Sequence, residues 1–241
     1  MQNKAEKITD HRARRRWPGS VPALLAVVLA LPAGAAETAD DDVDGFAWSR
    51  AMLDVIEAGD AERGAELAEK AKCSKCHGEA GIAEDDETPS IAGQVPAYQF
   101  KQLLDYKTQV RDSRDMYKKV RRLSLEDLAD LAAHFATLAP EPPAGPAEPP
   151  LLVAQGDKDR LLLACQVCHG ERGEGMGFQV PALAGQKIDH FVETMTAFRD
   201  GDRENDEYGR MRFIAAQLSE DEIAAIAAYY AAERTPEDAE D

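Results

Sequence analysis

Apolar residues recur with a helical period in three stretches. Trp48, Met52, Val55 and Ile56 fall at i, i+4, i+7 and i+8, one face of an amphipathic helix that ends near Gly59. Leu125, Leu128, Leu131, Phe135 and Leu138 lie along one face of a second helix, and Ile223, Ile226, Ala227 and Tyr230 along one face of a third. The starts of the last two are marked. Ser219 with Glu222 three residues on forms a capping box, and Ser124 is followed by the acids Glu126 and Asp127, which suit a helix N-terminus. Between these helices the stretch 139–150 is rich in prolines, which lack amide donors, and it predicts an extended, semi-rigid strap.

On either side of the strap the chain repeats itself at an offset of 92 residues. Pro89-Ser90-Ile91-Ala92-Gly93-Gln94 returns as Pro181-Ala182-Leu183-Ala184-Gly185-Gln186, Tyr106-Lys107 as Phe198-Arg199, and Arg111 as Arg203. Gly59-Asp60 and Gly156-Asp157 each open a short helical run toward a cysteine. The sequence therefore divides into an N-terminal stretch over 37–58, one repeat over 59–138, the strap over 139–150, a second repeat over 151–234 and an acidic tail over 235–241. Halves this small bury a marginal apolar core and need a staple.

The cysteines supply it. Cys73-Ser74-Lys75-Cys76-His77-Gly78 recurs as Cys165-Gln166-Val167-Cys168-His169-Gly170, again 92 residues on, and no cysteine lies elsewhere. Two thiols three residues apart on one turn can form thioethers with the two vinyl groups of a haem, and the histidine that follows then lies under the iron. This pattern predicts two covalently bound haem c groups held by Cys73, Cys76, Cys165 and Cys168, with His77 and His169 as proximal ligands. Zinc knuckles or a redox dithiol would use the same two-residue gap, but the second copy with its own histidine favours haem.

Distal ligands are sought among the methionines. Met116 stands eight residues before Ser124 and Met211 eight residues before Ser219, the matched helix caps, so both are assigned to iron. Met176 and Met195 have no counterparts in the first repeat and are assigned to packing. His134 aligns with Tyr229 and His190 with Tyr98, so neither imidazole is repeated as a ligand would be.

Charge and the N-terminus bear on location. With 28 Lys and Arg against 45 Asp and Glu, the net charge is −17, which argues against a nucleic-acid partner. Residues 1–36 read as a signal peptide: Arg12 and Arg14 to Arg16 are basic, Val21 to Leu31 is a short apolar run, and Pro32 to Ala36 offers small residues for cleavage. The run is shorter than the ~20 residues that span a bilayer. Export to the periplasm is the expectation, which leaves association with a membrane open but provides no spanning helix in the mature chain.

Two C-x-x-C-H-G motifs, each followed by P-x-[IL]-A-G-Q, an aromatic-basic pair and a methionine eight residues before a Leu-Ser helix start, with a proline-rich bridge between, resemble the cytochrome c4 family. The haem subunits of flavocytochromes share this two-domain plan. The resemblance implies an all-α fold of two tandem class I cytochrome c domains joined by the linker, with haems close enough to exchange electrons. It implies a periplasmic carrier that passes electrons singly between redox proteins, such as a quinol-cytochrome c reductase or dehydrogenase and a terminal oxidase, with no catalytic residues of its own. The carbonyls of Pro89 and Pro181 are then expected to orient the proximal imidazoles, and Arg111 and Arg203 to face haem propionates.

Two other functions use the same sites. An electron-transfer subunit of a flavocytochrome or another dehydrogenase complex needs identical haem ligation, and the helix near Trp48 could dock such a partner. A dihaem enzyme, such as a thiosulfate dehydrogenase or a peroxidase, is disfavoured because no fifth cysteine is present to ligate an active iron.

Overall fold

The computed structural model describes residues 48–142, 148–177 and 179–231. The signal peptide expected over 1–36, most of the N-terminal stretch and the tail over 235–241 lie outside the described residues. No described helix is long and apolar enough to cross a membrane.

Helices build both halves. In the first, α1 (Arg50–Glu57) is capped by Ser49, α2 (Ala61–Ala71) by Asp60, and the short α3 (Ser74–His77) carries the first C-x-x-C-H motif. Then come α4 (Pro96–Lys107), with proline in its first turn, α5 (Arg114–Val120), capped by Ser113, and α6 (Leu125–Thr137). The second half has α7 (Leu151–Ala154), α8 (Cys165–His169), α9 (Ile188–Asp200), α10 (Arg210–Ala215) and α11 (Glu220–Tyr230). Both expected helix starts are reciprocal capping boxes, Ser124 with Asp127 and Ser219 with Glu222. Among the described residues the only extended pairing is in isolated bridges.

Each half has its own core. α6 packs against α1, α2 and α4, burying Phe100, Leu104, Leu128 and Ala132, while α9 packs against α10 and α11, burying Phe191, Ile223 and Tyr230. Fully burying one such large side chain contributes about 1.5–3 kcal/mol. Met52 places the apolar face of α1 in the first core, so this helix packs on its own half. Met195 is core, as expected, but Met176 is half exposed and fills no gap.

The two halves fasten their first segment to the closing helix with the same device. Asp130 on α6, almost fully buried, accepts from the Asp60 amide (2.7 Å) and from Nε and Nη2 of Arg63 (both 2.8 Å). Gly64 permits that approach: a Cβ there would lie 2.0 Å from the Asp130 carbonyl oxygen. In the second half Arg160 bonds Asp157 and grips both oxygens of Glu222, which in the matched helix starts corresponds to Asp127 rather than Asp130. The Glu222 and then the Asp157 carboxylates raise the pKa of Arg160. The helical run expected before Cys165 is absent, however. Only eight residues separate Asp157 from Cys165, against thirteen from Asp60 to Cys73, so a tight turn closed by the Asp157–Leu162 bridge replaces α2.

Candidate functional site

The two C-x-x-C-H segments form the short helices α3 and α8, each ended by a glycine at positive φ: Gly78 at 70° and Gly170 at 88°. A side chain at Gly78 would place Cβ 1.8 Å from the Ile82 carbonyl oxygen, which is why glycine follows the histidine. None of the four cysteines is joined to another in a disulfide, which leaves all four for thioether bonds. Burial pushes the Cys73 and Cys165 thiols up, whereas Cys76 is exposed.

Nδ1 of His77 lies 2.9 Å from the Pro89 carbonyl, and Nδ1 of His169 lies 2.9 Å from the Pro181 carbonyl. A carbonyl can only accept, so each Nδ1 carries the proton and each Nε2 lone pair is left available for a metal. Burial holds both imidazoles below their ordinary pKa, against the opposing pull of the carbonyls. A neutral, oriented imidazole is the state that iron requires. Met116 packs against the first core with Cys73, and Met211 against the second with Cys165, so each assigned methionine shares a core with its own motif. Among the described residues no three His, Cys, Asp or Glu side chains could hold a metal ion by themselves, so no zinc knuckle is built.

Between the halves lies a polar cluster that the sequence indicated only in part. Gln102 Oε1 accepts from Arg111 Nη1 (2.9 Å), Arg203 Nη2 (3.0 Å) and Asn205 Nδ2 (2.9 Å). Arg203 also donates to the Tyr98 hydroxyl and stacks on Phe198, as Arg111 stacks on Tyr106. Asp105 binds Lys101 Nζ and Asn205 Nδ2. Lys101, Arg111 and Arg203 bring three cations to this cluster, and burial followed by the Arg203 charge depresses the pKa of Arg111. Such a concentration of cations suits anions. The carboxylates of two haems fit it, and the thiols, imidazoles and thioethers fit the rest of the cofactor.

His190, the counterpart of Tyr98, borders this cluster. Burial, then the charges of Arg111 and Arg203, lower its pKa to about 4, opposed by a backbone contact at Glu87, and its Nε2 lies 3.5 Å from the Thr194 hydroxyl. Because the folded value lies below the ordinary 6.5, its contribution to stability is fully present above pH 6.5 and is lost as pH falls toward 4. Urea unfolding of the haem-loaded protein at pH 7 and pH 4.5 is expected to show a loss larger by ~2 kcal/mol in the wild type than in His190→Gln.

The faces around the two motifs differ in chemistry. Lys70, Lys72, Lys75, Lys118 and Lys119 are exposed near the first, where Lys119 Nζ also reaches the Ala71 carbonyl at 2.7 Å. Around the second, Leu161, Leu163, Val167 and Phe213 are exposed instead.

Comparison with known proteins agrees with this construction. The cytochrome c family profile matches residues 61–139 and again 158–231. The chain is similar to cytochrome c4 of Thiocapsa roseopersicina, at 37% identity over 182 residues, covering 72% of this chain and 92% of that protein. It is also 34% identical over 168 residues to a thiosulfate dehydrogenase electron acceptor of Stutzerimonas stutzeri, covering 66% and 77% respectively. Among solved structures, reduced cytochrome c4 from Pseudomonas stutzeri superposes with a TM-score of 0.67 at 33% identity, covering 73% of this chain and all of that one.

Proposed function

The chain belongs to the dihaem cytochrome c4 family, an electron-transfer protein with two covalently bound haem c groups, and from that premise we propose that it is a periplasmic carrier with two His/Met-ligated irons. Cys73 and Cys76 hold one haem between His77 and Met116; Cys165 and Cys168 hold the other between His169 and Met211. Haem supplies a one-electron couple at each iron. The protein's own residues keep the imidazoles neutral and oriented through Pro89 and Pro181, bring methionine sulfur to each core, and meet the propionates with Arg111 and Arg203. The observation that carries this reading is the matched pair of Nδ1 contacts to the proline carbonyls, which leaves both Nε2 atoms poised for metal.

A six-coordinate iron with a thioether transfers electrons without opening a site for substrate. The far-red absorption of the oxidised protein tests this. Two equivalents of the weak methionine-sulfur-to-ferric-iron band are expected per chain; one or none means that Met116, Met211 or both are not ligands.

The partners are redox proteins that meet the lysine-bearing face near the first motif and the apolar face near the second. A second reading, electron acceptor of a dehydrogenase, is favoured by the Stutzerimonas stutzeri relative of that name. Co-migration of the protein with a dehydrogenase after gentle extraction supports that reading, and migration alone supports the free carrier.

A further inference from the structure

Besides the polar cluster, the two halves exchange hydrogen bonds at a matched place in each repeat, and that place adjoins the histidine. Gln186 of the second half accepts from the Ser90 amide (2.9 Å) and donates to the Ser90 carbonyl (3.0 Å). Gln94 of the first half accepts from the Ala182 amide (2.8 Å) and donates to the Ala182 carbonyl (3.1 Å). Ser90 plus 92 is Ala182 and Gln94 plus 92 is Gln186, so the clasp is reciprocal. Each side-chain amide holds both polar groups of one residue across the boundary, and only one orientation of that amide satisfies both. Each Oε1 also accepts from the amide of the next residue in its own chain, Val95 or Lys187, which fixes the side chain.

The amide of Ser90 and the carbonyl of Pro89 are two ends of one peptide unit. That carbonyl accepts a hydrogen bond from His77 Nδ1–H, while the amide donates one to Gln186 Oε1. In the other half, the Pro181–Ala182 peptide joins His169 to Gln94 in the same way. A hydrogen bond donated by a peptide N–H polarises the unit and makes its carbonyl a stronger acceptor. A stronger acceptor at Nδ1 makes the imidazole a better donor to metal at Nε2.

We propose that Gln186 and Gln94 are crossed positioning residues: each tunes, through one peptide unit, the proximal histidine of the opposite half. The inference rests on His77 and His169 being the iron ligands. Its physical content is that the donor strength of each imidazole depends on whether the two halves are docked. Strengthening the imidazole favours ferric iron, so loss of the clasp at one glutamine raises the potential of the haem across the boundary.

The experiment uses the full haem-loaded chain and the variants Gln186→Leu and Gln94→Leu. Reduction potentials are measured for each haem, and the hyperfine-shifted imidazole resonances are followed by NMR, with haems assigned by contacts to Lys75 or Val167. Gln186→Leu is expected to raise the potential at His77 and shift the His77 ring signals while leaving His169 unmoved; Gln94→Leu is expected to do the reverse. Electron sharing between the haems then shifts several-fold, in opposite directions for the two variants. Equal movement at both haems, movement in the glutamine's own half, or no movement overturns the relay. If a variant loosens the boundary, as small-angle scattering would reveal, Gln186→Glu decides: it keeps the acceptor for the Ser90 amide but loses the donor. With the glutamate-for-leucine comparison corrected by a distant Gln155→Glu control, partial retention at His77 supports the relay and full loss overturns it. Absence of shifted imidazole signals in the wild type would instead defeat the ligand assignment itself, an outcome distinct from failure of the relay.

Discussion

Met211→Leu is expected to leave the second iron without a sulfur ligand. Leucine fills much of the same volume in the second core, where Met211 packs against the cluster containing Phe191, Ile214 and Tyr230, so the fold is expected to survive. Methionine opposite histidine raises the potential of a haem. Its loss is therefore expected to remove half of the far-red band, turn the second iron high-spin or open to exogenous ligands, and lower its potential by a sizeable part of the ~0.8 V range that axial ligands command. Spectroelectrochemical titration with two resolved components checks it. A second haem that stays low-spin at unchanged potential would falsify the assignment of Met211. The matching substitution at Met116 is expected to act on the other component alone, because each methionine shares a core only with its own motif.

The second large effect lies at the boundary. Asp105 accepts from Lys101 and from Asn205, and it stands among the charges of Lys101, Arg111 and Arg203. Asp105→Ala removes the carboxylate that pairs with the buried Lys101 ammonium. Removing one member of a buried ion pair typically costs about 3–5 kcal/mol. The expected result is a lower urea midpoint and the splitting of one unfolding transition into two, followed by haem absorbance and helix signal together. Asp105→Asn is expected to cost nearly as much, because a neutral amide cannot balance the cations. A single transition at the wild-type midpoint in either variant would show that the haem carboxylates alone balance the cluster.

Asp105 also shows where sequence reading stopped. Arg111 and Arg203 stood out because they repeat at the 92-residue offset, but their partners do not repeat: Gln102, Asp105 and Asn205 come from one side or the other, and His190 opposes Tyr98. A duplicated pair of halves that meet face to face places unlike residues opposite each other, and a linear offset carries no signal for that. Arg63 and Arg160 could have been found, since each follows its Gly-Asp pair by three residues, but their targets on α6 and α11 are 67 and 62 residues away. The helical run expected before Cys165 failed for a local reason, a shortening by five residues that leaves no room for α2.

Sequence alone determined the chemistry of the sites, because thioether attachment needs two thiols and an imidazole at fixed local spacing, and the helix starts, because capping acts within one turn. It also determined the duplication. Only the tertiary structure decided that α1 belongs to the first core and that the glutamine of each Ala-Gly-Gln turn reaches the opposite half. The glutamine contacts join residues 88 to 96 positions apart, and their hydrogen bonds exist only once two cores have formed and their turns are brought to about 3 Å.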